Sequence, residues 1–353
     1  MDKNKNKKIV VIGGGIAGME SSTYLTGIGY DVILIEKTDK LGGRVLEWEQ
    51  LFPTRRLGKE VVDYLKKGID LEKVKVKYNT DIKNIESNNK GFLITLSDNS
   101  VLEADSILIA TGYDLFDARK KEEYGYGIYN NVITSAELEE IFLKDGELKA
   151  PDGKIPKRVG LVYCVGSRDA KVGNIYCSKV CCVTGVKQAI EIKEKLPDTE
   201  IFCFYMDLRM YGTQFEELYK ESQEKWGVNY IRGRLSEASE NADGSIKIKA
   251  EDTLAGRPIK MDVDMLVLMV GFIPSEGTTK IGKLLNLEFR ENGFIKPMDP
   301  HTMNNVSSVQ GVFLAGTCTA ARTINNTIMD ARSAAAKVVS YLEGFNSEKR
   351  NII

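Results

Sequence analysis

The chain has 353 residues, 42% of them hydrophobic and 28% charged, enough apolar material for about two globular domains. Its 49 basic and 50 acidic residues nearly cancel, so no basic surplus points to nucleic acid or to an anionic membrane surface. The single histidine, His301, excludes histidine-rich zinc sites and argues against a Ser-His-Asp triad; beside Pro300 it reads as a loop residue.

The opening Met1-Asp2-Lys3-Asn4-Lys5-Asn6-Lys7-Lys8 reads as a solvated tail rather than a signal segment, because an apolar strand follows at once. No apolar run approaches the roughly 18–20 residues of a spanning helix, and the expectation is a soluble, cytoplasmic protein. Ile9-Val10-Val11-Ile12 is a β-branched run of the kind that fills a buried parallel strand. It breaks at Gly13-Gly14-Gly15-Ile16-Ala17-Gly18, a G-x-G-x-x-G turn. Gly13 permits the turn, Gly15 lets a pyrophosphate approach the backbone, and Gly18 lets the next helix pack close to the strand. The amino end of that helix would receive the phosphates. A second strand, Asp31 to Ile35, ends at Glu36, eighteen residues after Gly18. An acidic side chain there accepts hydrogen bonds from a ribose and disfavours a 2′-phosphate. Glu36 and the adjoining Lys37 are therefore candidate dinucleotide-binding residues.

Leu41-Gly42-Gly43-Arg44 follows closely. This extended signature resembles that of FAD-binding oxidoreductases of the glutathione-reductase type. The resemblance implies that Gly42 and Gly43 pass near the cofactor and that Arg44 faces a phosphate or the flavin. The alternative is a loop glycine pair with a solvated arginine.

Phe52-Pro53-Thr54 reads as a loop and Leu57 to Lys67 as a helix. Residues 74–78 and 82–85 alternate as half-exposed strands, and 91–96 with 100–104 bracket a hairpin turn at Asp98-Asn99. Ser106 to Ala110 is a buried strand running into Ala110-Thr111-Gly112, which resembles the ATG motif where two-domain flavoproteins cross between domains. A helix is expected over Ser135 to Leu143, followed by a polar loop at 149–154. A second βαβ pattern then begins: a strand at Arg158 to Tyr163, a helix, and a strand at Glu200 to Tyr205. It is a coarse repeat of the first unit, but its glycine fingerprint is replaced by Tyr163-Cys164-Val165-Gly166-Ser167-Arg168-Asp169. The reading is a fold kept and a nicotinamide site lost. Further on come a helix at Phe215 to Lys225, strands at 230–232 and 246–248, and a buried strand at Met265 to Gly271. Gly311 to Gly316 and then Thr317 resemble the last FAD motif, with Thr317 where an Asp usually meets the ribityl chain. A helix follows from about Asn325.

Six cysteines in a chain without a secretion signal suit redox or metal chemistry better than a disulfide framework. Four of them, Cys164, Cys177, Cys181 and Cys182, form C-x12-C-x3-C-C. If a helix begins around Cys177, then Cys177 and Cys181 share a face, and Cys182 is rotated by about 100°. Cys164 ends the preceding strand and approaches across the turn. Four such thiolates suit a [4Fe–4S] cluster. A four-cysteine zinc site fits poorly for want of short paired knuckles, and a redox disulfide lacks C-x-x-C spacing. Buried inert cysteines are the remaining alternative.

These cysteines, with Val165-Gly166-Ser167-Arg168-Asp169 and Met206-Asp207-Leu208-Arg209, resemble the flavin-carrying A subunits of heterodisulfide reductases over essentially the whole chain. The resemblance implies that the four cysteines ligate a [4Fe–4S] cluster in a thioredoxin-reductase-like domain. It also implies that Lys187, five residues after the last cysteine, lies near flavin N5; otherwise Lys187 is a solvated helix residue. B- and C-like partner subunits, a sulfur-carrier protein, a homodimer and NAD as electron partner follow from the same resemblance. With only Cys203 and Cys318 left over, the chain lacks ferredoxin-type repeats and resembles the short, sulfur-oxidising form.

The expected fold is α/β, two Rossmann-like dinucleotide-binding domains of the thioredoxin/glutathione reductase type with a discontinuous FAD domain. The FAD domain would be residues 1–114 and 262–353, and the degenerate NAD(P)H-type domain 115–261. The expected function is electron transfer through FAD and the cluster, with site residues Gly13, Gly15, Gly18, Glu36, Lys37, Gly42, Gly43, Arg44, Ala110, Thr111, Gly112, Gly316, Thr317 and Lys187. A free-standing NAD(P)H-dependent disulfide or polysulfide reductase and a silent flavin-bound scaffold are the alternatives.

Overall fold

A computed structural model describes residues 7–70, 73–88, 90–144 and 147–344. Its parallel strands and its helices begin with β1 (Lys8–Ile12), α1 (Ile16–Gly27), β2 (Asp31–Ile35), α2 (Gly58–Gly68), β3 (Val74–Lys77) and β4 (Ser106–Ile109). There follow β5 (Val132–Thr134), α3 (Ser135–Leu143), β6 (Arg158–Val165), α4 (Cys181–Lys195), β7 (Glu200–Tyr205), α5 (Phe215–Glu224), β8 (Asn229–Arg232) and β9 (Met265–Val270). The last are α6 (Glu276–Leu284), β10 (Val312–Leu314) and α7 (Ile324–Leu342). The chain forms two compact units, one of residues 1–46, 59–114 and 273–353, the other of residues 47–58 and 115–272.

In the first unit the strands lie in the order β10-β4-β1-β2-β3, all parallel. Side chains along a strand alternate between faces, and β1 supplies a core to each side. Ile9 and Val11 join Met19 and Leu25 of α1 and Ala331, Ala334 and Val338 of α7. Val10 and Ile12 join Ile94 and Leu96 of an antiparallel meander spanning residues 82–104. Burial on both faces explains why this strand is continuously apolar rather than alternating. Its end must turn sharply: Gly13 has φ of +106°, and a Cβ on Gly18 would stand 1.8 Å from the Gly13 carbonyl oxygen. Only a glycine at 18 lets α1 start this close to β1.

In the second unit the order is β5-β9-β6-β7-β8, again parallel. Its central pair β6 and β7 repeats the relation of β1 to β2, so the coarse internal repeat is a repeat of architecture. Two segments fold with this unit rather than with the first, where the sequence pattern puts them. Strand β9 pairs with β5 and β6, and all six of its residues are buried. An apolar run of that kind needs a sheet covered on both faces, and the second sheet has the vacancy between β5 and β6. Residues 47–58 are held by Phe52, edge-on to Phe215 with centroids 5.4 Å apart, and by Arg55, 3.2 Å from Glu221 and 3.4 Å from Glu194.

Several elements are not anticipated by the sequence, β5 among them. The strand Leu235–Glu240 opens a three-stranded antiparallel meander, yet carries apolar residues only at Leu235 and Ala238. Helix α6 contains Gly277 and two threonines, weak helix formers; the Ser275 hydroxyl caps it by accepting the Thr278 N–H at 2.9 Å. Among the described residues no helix is long and apolar enough to cross a membrane.

Substituting Gly18→Ala forces its new methyl against backbone rather than against a yielding side chain. The expected cost is on the order of 3 kcal/mol of stability, seen as a lowered midpoint in thermal unfolding followed by circular dichroism.

Candidate functional site

At the carboxyl ends of β1, β2, β4 and β10, the first unit gathers most of the residues singled out for dinucleotide binding. Strand order reverses at β1, which has β2 on one side and β4 on the other, the usual crevice for a ligand in such sheets. A Cβ on Gly15 would meet nothing within 4 Å, so the turn opens on free space there. Gly43 stands beside this opening, since a Cβ on it would lie 3.2 Å from Gly15 Cα, and Gly42 N–H donates to Gly14 O at 2.9 Å. Glu36, buried, accepts the Gly14 N–H through Oε2 at 2.7 Å and the Thr38 N–H through Oε1 at 2.8 Å. Oε1 also accepts the Thr38 hydroxyl at 2.8 Å, so Oε2 is the oxygen that retains acceptor capacity for a ribose hydroxyl. Lys37 is exposed beside it.

Arg44 has other partners than those expected of it. Its Nε donates to Tyr113 O at 3.0 Å and its Nη2 to Asp114 Oδ1 at 2.8 Å. Burial pushes Asp114 up, but the Arg44 and Glu276 hydrogen bonds outweigh it and hold the carboxyl below its usual range. In the Ala110-Thr111-Gly112 segment, the Ala110 carbonyl would lie 2.4 Å from a Cβ on Gly13, and Thr111 and Gly112 share hydrogen bonds with the Thr278 hydroxyl. Gly316 N–H donates to Asp330 Oδ2 at 2.7 Å, and Thr317 is buried. Asp330 and its neighbour Arg322, 3.4 Å away, were not anticipated. The carboxylate that holds this turn comes from α7, outside the local motif.

In the second unit the corresponding position, between the end of β6 and the start of α4, is filled by residues 166–180. Helix α4 begins at Cys181, so Cys177 lies in the loop and not on the helix face assumed for it. The reason is a lock at Ser178: its hydroxyl contacts the Ser167 hydroxyl and accepts the Phe272 N–H at 2.8 Å. Lys179 then takes a φ of 62°, which a helix cannot include. No side chain caps α4 at Val180. Its positive end therefore faces the thiols of its own first turn.

Cys164, Cys181 and Cys182 are buried, with Cys181 within hydrogen-bonding reach of each of the other two. Those two hydrogen bonds, and then burial, hold Cys181 well above the usual thiol range. Cys164 is lowered by that hydrogen bond and by the nearby Arg168 guanidinium, against its burial. Cys182 falls to about 7, first through Cys181 and then through the backbone and charge of Arg209. Cys177 is half-buried, its sulfur accepting the Lys179 N–H at 3.3 Å, and Tyr211 lies in the field of Cys177, Cys181 and Cys182 together. Among the described residues no three His, Cys, Asp or Glu side chains converge as they would on one metal ion. Three buried thiols beside the Arg168 and Arg209 guanidiniums, with a fourth in the adjoining loop, are the soft, anionic donor set that a [4Fe–4S] cluster takes. Cys203 packs in the same core as Cys164, Cys181 and Cys182, and Cys318 in a core of the first unit; burial pushes each of these two thiols up to about 12.

Lys187 is not a solvated helix residue. It is wholly buried, with Nζ 2.5 Å from Glu139 Oε1 and 2.8 Å from Glu191 Oε2, under the rings of Trp48 and Phe142. The second contact is at salt-bridge distance without hydrogen-bond geometry. Burial is the chief cause that raises Glu191 to about 8; Lys187 pulls it down, and Glu139 pushes it up again. Glu139 and Glu191 went unnoticed in the sequence because each sits among other charged helix residues that look solvated.

The chain matches the family described as pyridine nucleotide-disulphide oxidoreductase over residues 1–132 and 181–337. It is 32% identical to the A subunit of the H(2):CoB-CoM heterodisulfide,ferredoxin reductase of Methanothermobacter thermautotrophicus, across 94% of this chain and 63% of that protein. It is 30% identical to the iron-sulfur A subunit of the CoB–CoM heterodisulfide reductase of Methanocaldococcus jannaschii, across 94% of this chain and 64% of that one. The chain thus spans less than two thirds of the length of these curated relatives. Among solved structures, the thioredoxin reductase of Lactococcus lactis shares the fold at 18% identity and a TM-score of 0.68, covering 96% of this chain and 100% of that one.

Glu191 yields a pH test. Its proton is held to about pH 8 in the folded protein, against an ordinary value of 4.5. Its contribution to stability is therefore complete below pH 4.5 and declines as pH rises, until it is lost above about 8. Glu191→Gln, which mimics the neutral acid, should be up to ~4 kcal/mol more stable than wild type above pH 8 and similar to it near pH 5. Denaturant unfolding at the two pH values measures the difference.

Proposed function

Because this chain belongs to the pyridine nucleotide-disulphide oxidoreductase family and its curated relatives are heterodisulfide reductase A subunits, we propose that it is the flavin- and iron–sulfur-carrying electron-transfer subunit of a heterodisulfide-reductase-like complex. The observation that carries this reading is the meeting of Cys164, Cys181 and Cys182 at the uncapped start of α4, with Cys177 in the adjoining loop. In the first unit the equivalent turn opens on free space at Gly15 for a pyrophosphate. In the second unit the same place holds thiols, so it is suited to a cluster and not to a second dinucleotide.

FAD is the dinucleotide assigned to the first unit. Gly13, Gly15 and Gly18 shape its phosphate turn, Glu36 accepts from its ribose, Gly42 and Gly43 wall the opening, and Ala110 to Gly112 with Gly316 and Thr317 complete the edge. FAD exchanges electrons in pairs or singly, and a [4Fe–4S] cluster exchanges them singly. Cys164, Cys177, Cys181 and Cys182 would hold the cluster. In this protein's own chemistry, Cys181 must release the proton it shares with Cys164 and Cys182 before all the thiolates can bind iron. Arg209 and the amino end of α4 offset part of the resulting negative charge. The role of Lys187 beside flavin N5 rests on the family resemblance. Its surroundings support a proton-handling part, because Glu139 and Glu191 face one ammonium and one of the carboxyls keeps its proton to about pH 8.

The relatives are named as A subunits, and the partners proposed here are B- and C-like subunits, a sulfur-carrier protein and a second copy of the chain. Sulfur compounds as substrate and NAD as an electron partner belong to the same proposal.

The test is iron and sulfide content with an EPR spectrum, on protein purified without oxygen. About four irons per FAD, and a cluster signal abolished by Cys181→Ser, are expected. FAD without iron under cluster-preserving conditions would overturn the electron-transfer reading.

A further inference from the structure

Arg168 follows the strand that delivers Cys164 and precedes the loop that delivers Cys177. Its backbone is left-handed, φ 54°, and its N–H donates to Tyr176 O at 2.9 Å, directly before Cys177. Through the bridge of Asp169 with Asn174, the segment closes into a tight loop on the cysteine site. The side chain is held as firmly. Nη2 donates to Asp207 Oδ2 at 2.7 Å, and Asp207 in turn lies 3.6 Å from Arg232. The Asp207 carbonyl oxygen is 3.7 Å from Cys182 Sγ, so this anchor belongs to the wall of the cysteine pocket.

The other arm of the guanidinium is the informative one. Nη1 is buried and makes no hydrogen bond of good geometry, while the Cys164 thiol is close enough to be lowered by both the guanidinium's charge and a hydrogen bond from it. A buried donor without a well-formed hydrogen bond is costly, more so when charged. An arginine has five donors in a rigid fork and keeps its charge under all ordinary conditions. With Asp207 fixing Nη2, the fork cannot turn Nη1 out to solvent without breaking its 2.7 Å hydrogen bond. This arm of the guanidinium is thereby held toward the cysteines, and a sulfur is the acceptor within its reach.

We propose that Arg168 sets the reduction potential of the cluster held by Cys164, Cys177, Cys181 and Cys182, by donating Nη1–H to a cluster or cysteine sulfur. Asp207 is the positioning residue that aims it. A cluster with four thiolates is anionic, and each added electron makes it more so. A fixed cation and a hydrogen bond at its sulfur therefore favour the reduced form and raise the potential. This rests on the reading of the four cysteines as cluster ligands.

The experiment compares the full-length, anaerobically purified wild type with Arg168→Gln, Arg168→Lys and Arg158→Gln. The last removes one surface charge from the opposite end of β6, where Arg158 pairs with Glu200 at 2.7 Å. Iron per chain is measured first, and the cluster is then titrated by EPR against mediator dyes. Arg168→Gln should retain iron and show an equilibrium constant for reduction about tenfold lower, which is about 59 mV for one electron. Arg168→Lys, which keeps the charge but not the fork, should fall between, and Arg158→Gln should match wild type.

An Arg168→Gln protein with full iron and an unchanged midpoint overturns the proposal and leaves the electron-transfer reading standing. Loss of iron from both Arg168 variants also overturns it, by making Arg168 a structural residue of the loop. An iron-free wild type removes the electron-transfer reading, and this proposal with it.

Discussion

Ser178 decides where helix α4 begins, and the chemistry of the second unit depends on that choice. With its hydroxyl against Ser167 and receiving the Phe272 N–H, it cannot become a helical residue, and Lys179 turns left-handed after it. The helix therefore opens at Cys181 with its first N–H groups uncapped by any side chain. Had it opened at Cys177, that thiol would have lain one turn below Cys181 on the helix. Instead Cys177 is presented from a loop, and the two neighbouring thiols stand where the helix end is most positive. Three consecutive anchors keep the loop in place: Ser167 on Ser178, Arg168 on Asp207, and Asp169 on Lys121 and Arg234.

Lys121 and Asp169 are each only 2% exposed, and Lys187 with Glu139 and Glu191 is sealed entirely. Groups of this kind do little for stability on balance, because desolvation offsets much of their attraction. Their effect is directional: breaking one member leaves a buried charge alone, at a cost of roughly 3–5 kcal/mol. The Lys121 pair accordingly holds the cysteine loop in one geometry. The Lys187 group differs, since two carboxyls compete for one ammonium and one of them keeps its proton to about pH 8. Lys187 and Glu191 lie on the same helix as Cys181 and Cys182, one to three turns farther along. The buried lysine–glutamate group and the two adjacent thiols are thus carried by one rigid element.

The two sheets have the same strand order around their central strands, yet their central turns differ in kind. After β1 the chain needs only the glycine turn to reach α1, whereas after β6 it spends residues 166–180 before α4 starts. A short glycine turn leaves bare backbone N–H groups facing open space, which suits phosphate. A long, pinned loop places side chains there, which suits ligation by thiolates. The same architecture thereby presents bare backbone at one turn and thiol side chains at the other.

Local pattern carried a good deal of this protein. The β-branched run at Ile9 to Ile12, the glycine turn, the placement of Glu36 and the repeat of strand, helix and strand at 158–205 are all legible in the sequence. They report backbone periods and close neighbours, which are properties of short segments. The order of the cysteines is legible for the same reason. Tertiary structure alone decided the rest. It placed Met265–Val270 and residues 47–58 in the second unit, because an apolar strand joins whichever sheet has an uncovered place for it. It turned Arg44 to Tyr113 and Asp114, buried Lys187 between two glutamates, and held one arm of Arg168 toward Cys164. A charged residue on a helix or loop reads the same in sequence whether it faces water or a buried partner. The partner comes from a distant segment, and only folding supplies it.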